Sequence, residues 1–198
     1  MENEIKKENI YNAPNFLTLL RILFALLCVY FIFADFSLFY IILAFVLGML
    51  TDLFDGQVAR RFNLKTEFGR QFDMIADKVF IIGVVLAVTI KLGMAGFLDE
   101  SHIIQMFLIM SREIICLPFV LASLFFKLGI PHVRIPGKVM TFMQSIAVPV
   151  LLINIFYGIF SFSWYISVIT GIVGITASFY YIYDVVILLI RNKLNLKI

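Results

Sequence analysis

The sequence predicts an all-α integral membrane protein, a bundle of six transmembrane helices. Three observations predict it. Of 198 residues, 62% are hydrophobic and 15% are charged, with Phe at 22 positions. A soluble domain is about half apolar and about a quarter charged. The apolar residues fall into six runs, each long enough to cross a hydrocarbon core of about 30 Å at 1.5 Å per helical residue. The basic residues gather at one end of the bundle those runs would form. A disordered chain needs low hydrophobicity and high charge, so this composition excludes one. Two cysteines exclude a disulfide scaffold.

The six expected spans are 16–34, 36–53, 72–90, 103–126, 139–160 and 164–190. Residues 1–12 are polar and mixed in charge. They lack the basic start, short apolar run and small-residue site of a cleaved signal peptide, so the first run is expected to be retained. Residues 9–16, broken by Pro14, are expected to form a short surface helix before the first span. No linker, low-complexity stretch or repeat divides residues 1–198, which read as a single membrane domain. Cys28 and Cys116 lie inside apolar runs with no second Cys or His at metal-ligand spacing, and read as small lipid- or helix-facing side chains.

The net charge of +3 is no nucleic-acid footprint, because the basic residues do not cluster on a soluble domain. They set orientation instead. Of the 16 Lys and Arg, all but Lys91 and Arg112 fall at the end that carries both termini. The positive-inside rule places that end, and any active site on it, in the cytoplasm.

Ionisable residues beside membrane helices are costly and point to function. Asp52 and Asp55 fall at the end of the second run, Asp73 and Asp77 at the start of the third. Three residues turn a helix by about 300°, so Asp52 and Asp55 stand about 60° apart. Gly69, Asp73 and Asp77 step by four along one stripe. The short connection makes the two helices antiparallel, so four carboxylates converge. Solvated helix-end caps explain one such Asp, but not four on converging stripes with two glycines and an Arg. Four carboxylates this close need a counter-charge, and a divalent metal supplies it. Oxygen ligands without His or Cys favour Mg²⁺ or Mn²⁺ over Zn²⁺. Gly56 and Gly69 would permit close approach of a nucleotide, and Arg60 offers a planar donor fork to phosphate. Such a site suits phosphoryl transfer.

These residues resemble a known signature. Asp52, Asp55, Gly56, Ala59 and Arg60, then eight residues, then Gly69, Asp73 and Asp77 carry all eight positions of the CDP-alcohol phosphotransferase motif at its spacing. The six-span layout is similar to that family as well. The resemblance implies transfer of a phosphatidyl group from CDP-diacylglycerol to an alcohol, with release of CMP. By the family pattern Asp52, Asp55, Asp73 and Asp77 would hold two divalent ions, and Asp77 would also act as general base. Gly56, Ala59, Arg60 and Gly69 would contact the CDP moiety, with Thr18 and Arg21 on the first helix beside it.

Further segments resemble the phosphatidylglycerophosphate synthase branch, which implies glycerol 3-phosphate as acceptor. They include Asn12, Pro14, Asn15, Thr18 and Arg21; Ile75 to Lys78; Arg112 and Glu113; and Gly137, Lys138, Thr141 and Gln144. Two positions depart from that pattern. Met74 stands where Pro is usual, and Val120 where a second Arg is usual. The second departure keeps cardiolipin synthase, with phosphatidylglycerol as acceptor, as the alternative. Arg112, Arg134 and Lys138 are expected at the acceptor or lipid phosphate, the other reading of Arg112 being a buried pair with Glu113 or Asp184. His132 reads as a solvated loop residue. Gly171 and Gly174 are expected to permit close helix packing or, as a second use, a homodimer interface.

A six-span cation transporter is the competing class. Its carboxylates belong near the bilayer midplane, whereas these gather at one end beside basic residues.

Overall fold

The computed structural model describes residues 13–61, 66–125, 135–158 and 162–193. Among them are seven helices and no strand: α1 (Ala13–Phe33), α2 (Leu38–Arg61), α3 (Glu67–Ala95), α4 (Glu100–Ile109), α5 (Ser111–Phe125), α6 (Ile135–Tyr157) and α7 (Ser163–Lys193). Residues up to Val88 form one compact unit, and those from Thr89 a second.

Four spans stand by length and composition: Ala13–Phe33, Gln71–Ala95, Pro136–Tyr157 and Ser163–Ile190. Together they make a multi-pass membrane architecture. Of the other two expected spans, the fourth is a bent pair of helices that is long and apolar enough when taken together, and the second is described only in part. Of α2, the apolar stretch among the described side chains is Leu38–Asp52. The helix itself runs on through the charged motif to Arg61. The expected fourth span is two helices, α4 and α5, bent by 49° at Met110. The physical cause is a side chain inserted into the backbone ladder: Gln144 Nε2 donates to the Ile109 carbonyl at 3.0 Å. A helical reading of apolar residues does not reveal this break, because its cause lies 35 positions away.

In the first unit, α1 is built inside out relative to a soluble helix. Its buried face carries Asn15, Thr18, Arg21, Ala25, Cys28 and Ile32. Its exposed face carries Phe16, Leu19, Leu23, Leu26, Tyr30 and Phe33. Lipid solvates the large apolar side chains, so the interior is left to small and polar ones that pack closely. Residues 13–16 form the start of α1 rather than a separate surface helix, since Pro is tolerated in a first turn; residues 9–12 lie outside the described residues. The helix closes in a tight reversal. Asp35 adopts φ 56°, and Phe36 N–H returns to Phe31 O at 3.0 Å, the hydrogen bond of a Schellman cap. Gly96, with φ 71°, ends α3 by the same bond from Phe97 to Leu92. α2 returns against α1, and Gly48 lets Phe80 of α3 seat on it: a Cβ there would fall 2.6 Å from Phe80 Cζ. The Phe45 and Phe80 rings lie 5.2 Å apart beside it.

The second unit is organised by α7. A Cβ on Gly171 would lie 2.8 Å from Leu108 Cδ2, and one on Gly174 would lie 2.9 Å from Met140 Cε, with Ser111 Oγ closer still. Both glycines therefore serve close packing within the chain. Ser163 donates to Gln105 Oε1 at 3.0 Å, tying α7 to α4 by a buried polar contact. Cys28 and Cys116 are buried thiols, as expected. The Ser101 hydroxyl, 2.6 Å from Asp99 before α4, holds the Asp99 carboxyl below its ordinary value.

Candidate active site

The eight motif positions lie on two helices. Asp52, Asp55, Gly56, Ala59 and Arg60 are on the second half of α2, and Gly69, Asp73 and Asp77 are on the first turns of α3. Contact between Gly48 and Phe80 near mid-helix, and between Asp52 and Asp73 through a shared partner nearer the connection, gives the antiparallel pairing that the short link predicts. The surroundings of Asp55, Gly56, Ala59 and Arg60 fall outside the described residues, as do Arg134 and His132.

The shared partner is Arg21. Its Nη2 stands 2.8 Å from Asp52 Oδ1 and its Nη1 stands 2.6 Å from Asp73 Oδ1. These are short, charge-assisted contacts. The guanidinium side chain is 1% exposed, whereas the Asp52 and Asp73 side chains are 24% and 43% exposed. The cation is thus buried, and the two acids are partly exposed. The sequence expectation put Arg21 at a phosphate of CDP; the structure brings it to the carboxylates. Thr18, one turn earlier on the same buried face, donates to Pro14 O at 3.1 Å. Gly69 is closely approached from α1: a Cβ there would lie 2.6 Å from Asn15 Oδ1 and 2.8 Å from Thr66 Oγ1. Thr66 also caps α3, accepting the Gly69 N–H at 3.0 Å. Asp77 follows Asp73 by one turn and is half-buried.

The donor set fits a hard divalent cation in kind. Two carboxylates from two helices turn an oxygen each toward one positive charge, which shows that the fold brings them to a common point. Among the described residues no three His, Cys, Asp or Glu side chains assemble as a metal site. Asp55, a member of the expected set, is not among the side chains described.

The second unit holds the other expected residues. Arg112 Nη1 donates to Thr141 Oγ1 at 3.3 Å and stands 3.9 Å from Glu113 Oε1. Glu113 is buried and accepts from Gln144 Nε2 at 2.6 Å. Thr141 in turn donates to Gly137 O at 3.2 Å. Lys138 is exposed on the first turn of α6. Gln144 and Thr141 carry a role that residue type alone does not assign. Their signal is the spacing 137, 141, 144, which puts Gly137, Thr141 and Gln144 on one face of α6. Val120 is a buried apolar residue of α5, 3% exposed.

Comparison with known proteins places the chain in a family. The CDP-alcohol phosphatidyltransferase family profile matches residues 11–179. A Rickettsia felis protein named CDP-diacylglycerol–glycerol-3-phosphate 3-phosphatidyltransferase is 36% identical, over 72% of this chain and 76% of its own length. A Rickettsia typhi protein of the same name is 36% identical, over 72% of this chain and 77% of its own. An Escherichia coli protein of that name is 37% identical over 40% of this chain and 44% of its own. The match spans both motif helices and most of the remaining chain, and the chain belongs to the CDP-alcohol phosphatidyltransferase family.

Proposed function

We propose that this membrane enzyme transfers the phosphatidyl group of CDP-diacylglycerol to a hydroxyl of glycerol 3-phosphate, giving phosphatidylglycerophosphate and CMP. The observation that carries the reading is the similarity to relatives named for that reaction over 72% of the chain, in a sequence holding all eight motif positions.

Asp52, Asp55, Asp73 and Asp77 would hold two divalent ions, Mg²⁺ or Mn²⁺. Bound there, the ions would supply positive charge to the phosphate oxygens of the donor and acidity to the acceptor hydroxyl. Asp77 takes the proton from that hydroxyl as general base. The oxygen so released attacks the phosphorus that bears the diacylglycerol, in line with the departing CMP. One P–O bond forms and the P–O bond to CMP breaks. Gly56, Ala59, Arg60, Gly69 and Thr18 line the CDP side. Arg112, Arg134 and Lys138 serve the acceptor or lipid phosphate. Arg112 is suited to this, because Glu113 and Thr141 orient its guanidinium without a close ion pair to consume it. Six spans would leave both termini and the carboxylates on the cytoplasmic face, where charged substrates arrive.

Val120 favours one second reading, cardiolipin synthase. A buried apolar residue stands where a second phosphate-binding Arg is usual, which lowers the demand for a phosphate on the acceptor. The acceptor panel separates the two. Purified protein with CDP-diacylglycerol and Mg²⁺ is expected to release CMP when glycerol 3-phosphate is added. CMP release with phosphatidylglycerol and none with glycerol 3-phosphate would move the assignment to cardiolipin synthase.

A further inference from the structure

Arg21 is fully buried, and it joins three helices of the first unit at one point. Its charge is permanent, since guanidinium does not deprotonate in proteins. Its planar fork gives one nitrogen to a carboxylate of α2 and the other to a carboxylate of α3, at 2.8 and 2.6 Å. Remove that charge and the two acids face each other across the same point, and like charges so placed repel. A divalent ion drawn to the same two carboxylates meets a resident positive charge.

We propose that Arg21 is the resident counter-cation of the carboxylate site: it balances Asp52 and Asp73 before a divalent ion binds, and its charge competes with the ion for them. The proposal rests on reading Asp52 and Asp73 as ligands of that ion. It makes Arg21 a positioning residue, acting through the acids rather than on substrate. The acids are presented ready-made and partly exposed, and affinity for the ion is held below what two unbalanced carboxylates would give. A site so balanced binds and releases its ion without the helices parting.

The test is thermal unfolding of the full chain in detergent, in EDTA and across a Mg²⁺ titration. Wild-type protein is expected to gain Tm with Mg²⁺. Arg21→Met should lose about 10 °C in EDTA, regain at least half of it in saturating Mg²⁺, and bind Mg²⁺ about tenfold more tightly. Arg21→Lys, which keeps the charge but not the fork, should fall between the two. In the double variant Arg21→Met with Asp73→Asn, relief of repulsion should restore part of the Tm in EDTA. Equal Tm losses in EDTA and in Mg²⁺, with unchanged Mg²⁺ affinity, would make Arg21 a helix tie only and overturn the proposal. So would an Arg21→Met protein with wild-type Tm in EDTA and a raised KM for CDP-diacylglycerol, the signature of a phosphate contact. Should Arg21→Met not fold, the Lys variant and the double variant decide the question by the same readouts. A wild-type protein insensitive to both Mg²⁺ and Mn²⁺ would overturn the ion-site reading itself, and the proposal with it.

Discussion

Arg21 and Arg112 are both set in apolar helices, and they are neutralised in opposite ways. Arg21 in the first unit is buried against two full carboxylates at 2.6 and 2.8 Å. Arg112 in the second is 17% exposed, holds a threonine hydroxyl at 3.3 Å and keeps its one acidic neighbour at 3.9 Å. That neighbour, Glu113, is itself taken up by Gln144 at 2.6 Å. The charge of Arg21 is therefore consumed inside the protein, where it fixes acids. The charge of Arg112 is held by a hydroxyl and has its acidic neighbour only at 3.9 Å, which is why it is proposed to meet an anion. The closeness of its own acids is what sets Arg21 apart from Arg112.

The largest effect belongs to the acid group itself. Asp77→Asn should lower CMP release by about 10³-fold, with Tm close to wild type because Asp77 is half-buried on a helix surface. Near-normal turnover would remove the proposed base. Next comes Arg112→Met. Losing one charged hydrogen bond to an acceptor phosphate, worth about 1.5–3 kcal/mol, should raise KM for glycerol 3-phosphate about 10- to 100-fold. Its Tm loss should be clearly smaller than that of Arg21→Met, where an internal ion pair is broken. Equal Tm losses in the two variants, measured side by side, would erase the distinction drawn between the arginines.

Packing gives a smaller contrast. Gly48→Ala drives a Cβ into the buried Phe80 ring and should cost about 1–3 kcal/mol. Gly83→Ala meets nothing within 4 Å and should be neutral or gain up to about 1 kcal/mol from helix propensity. Thermal unfolding of both in one detergent checks the difference. The smallest effect concerns Asp99, whose carboxyl is held low first by the Ser101 hydroxyl. A carboxyl depressed in the folded state adds stability above its ordinary value of 3.8, and loses it as pH falls further toward the folded value. Ser101→Ala should therefore change Tm only slightly at neutral pH, and the variant and wild type should converge in acid.

Much of this was legible in the sequence, for identifiable reasons. The motif acids fall on helices at 52, 55, 73 and 77 because their spacing of three and four suits one helical face. Asp52 and Asp73, one on each helix, meet at Arg21. The partner of Arg21 was not legible. A charged residue among apolar ones is recognised by its cost, but spacing along its own helix does not name what lies across from it. The break at Met110 was hidden for a similar reason, since Gln144 belongs to a different helix. Asn15 was recognised as part of a motif, yet its approach to Gly69 needed the pairing of α1 with the start of α3.

The most direct test of the whole account follows the acceptor into lipid. Radiolabelled glycerol 3-phosphate is incubated with the purified protein, CDP-diacylglycerol and Mg²⁺, and the lipid extract is separated. The account predicts label in phosphatidylglycerophosphate, formed one for one with CMP and absent with Asp77→Asn. CMP release with no label entering lipid would contradict it.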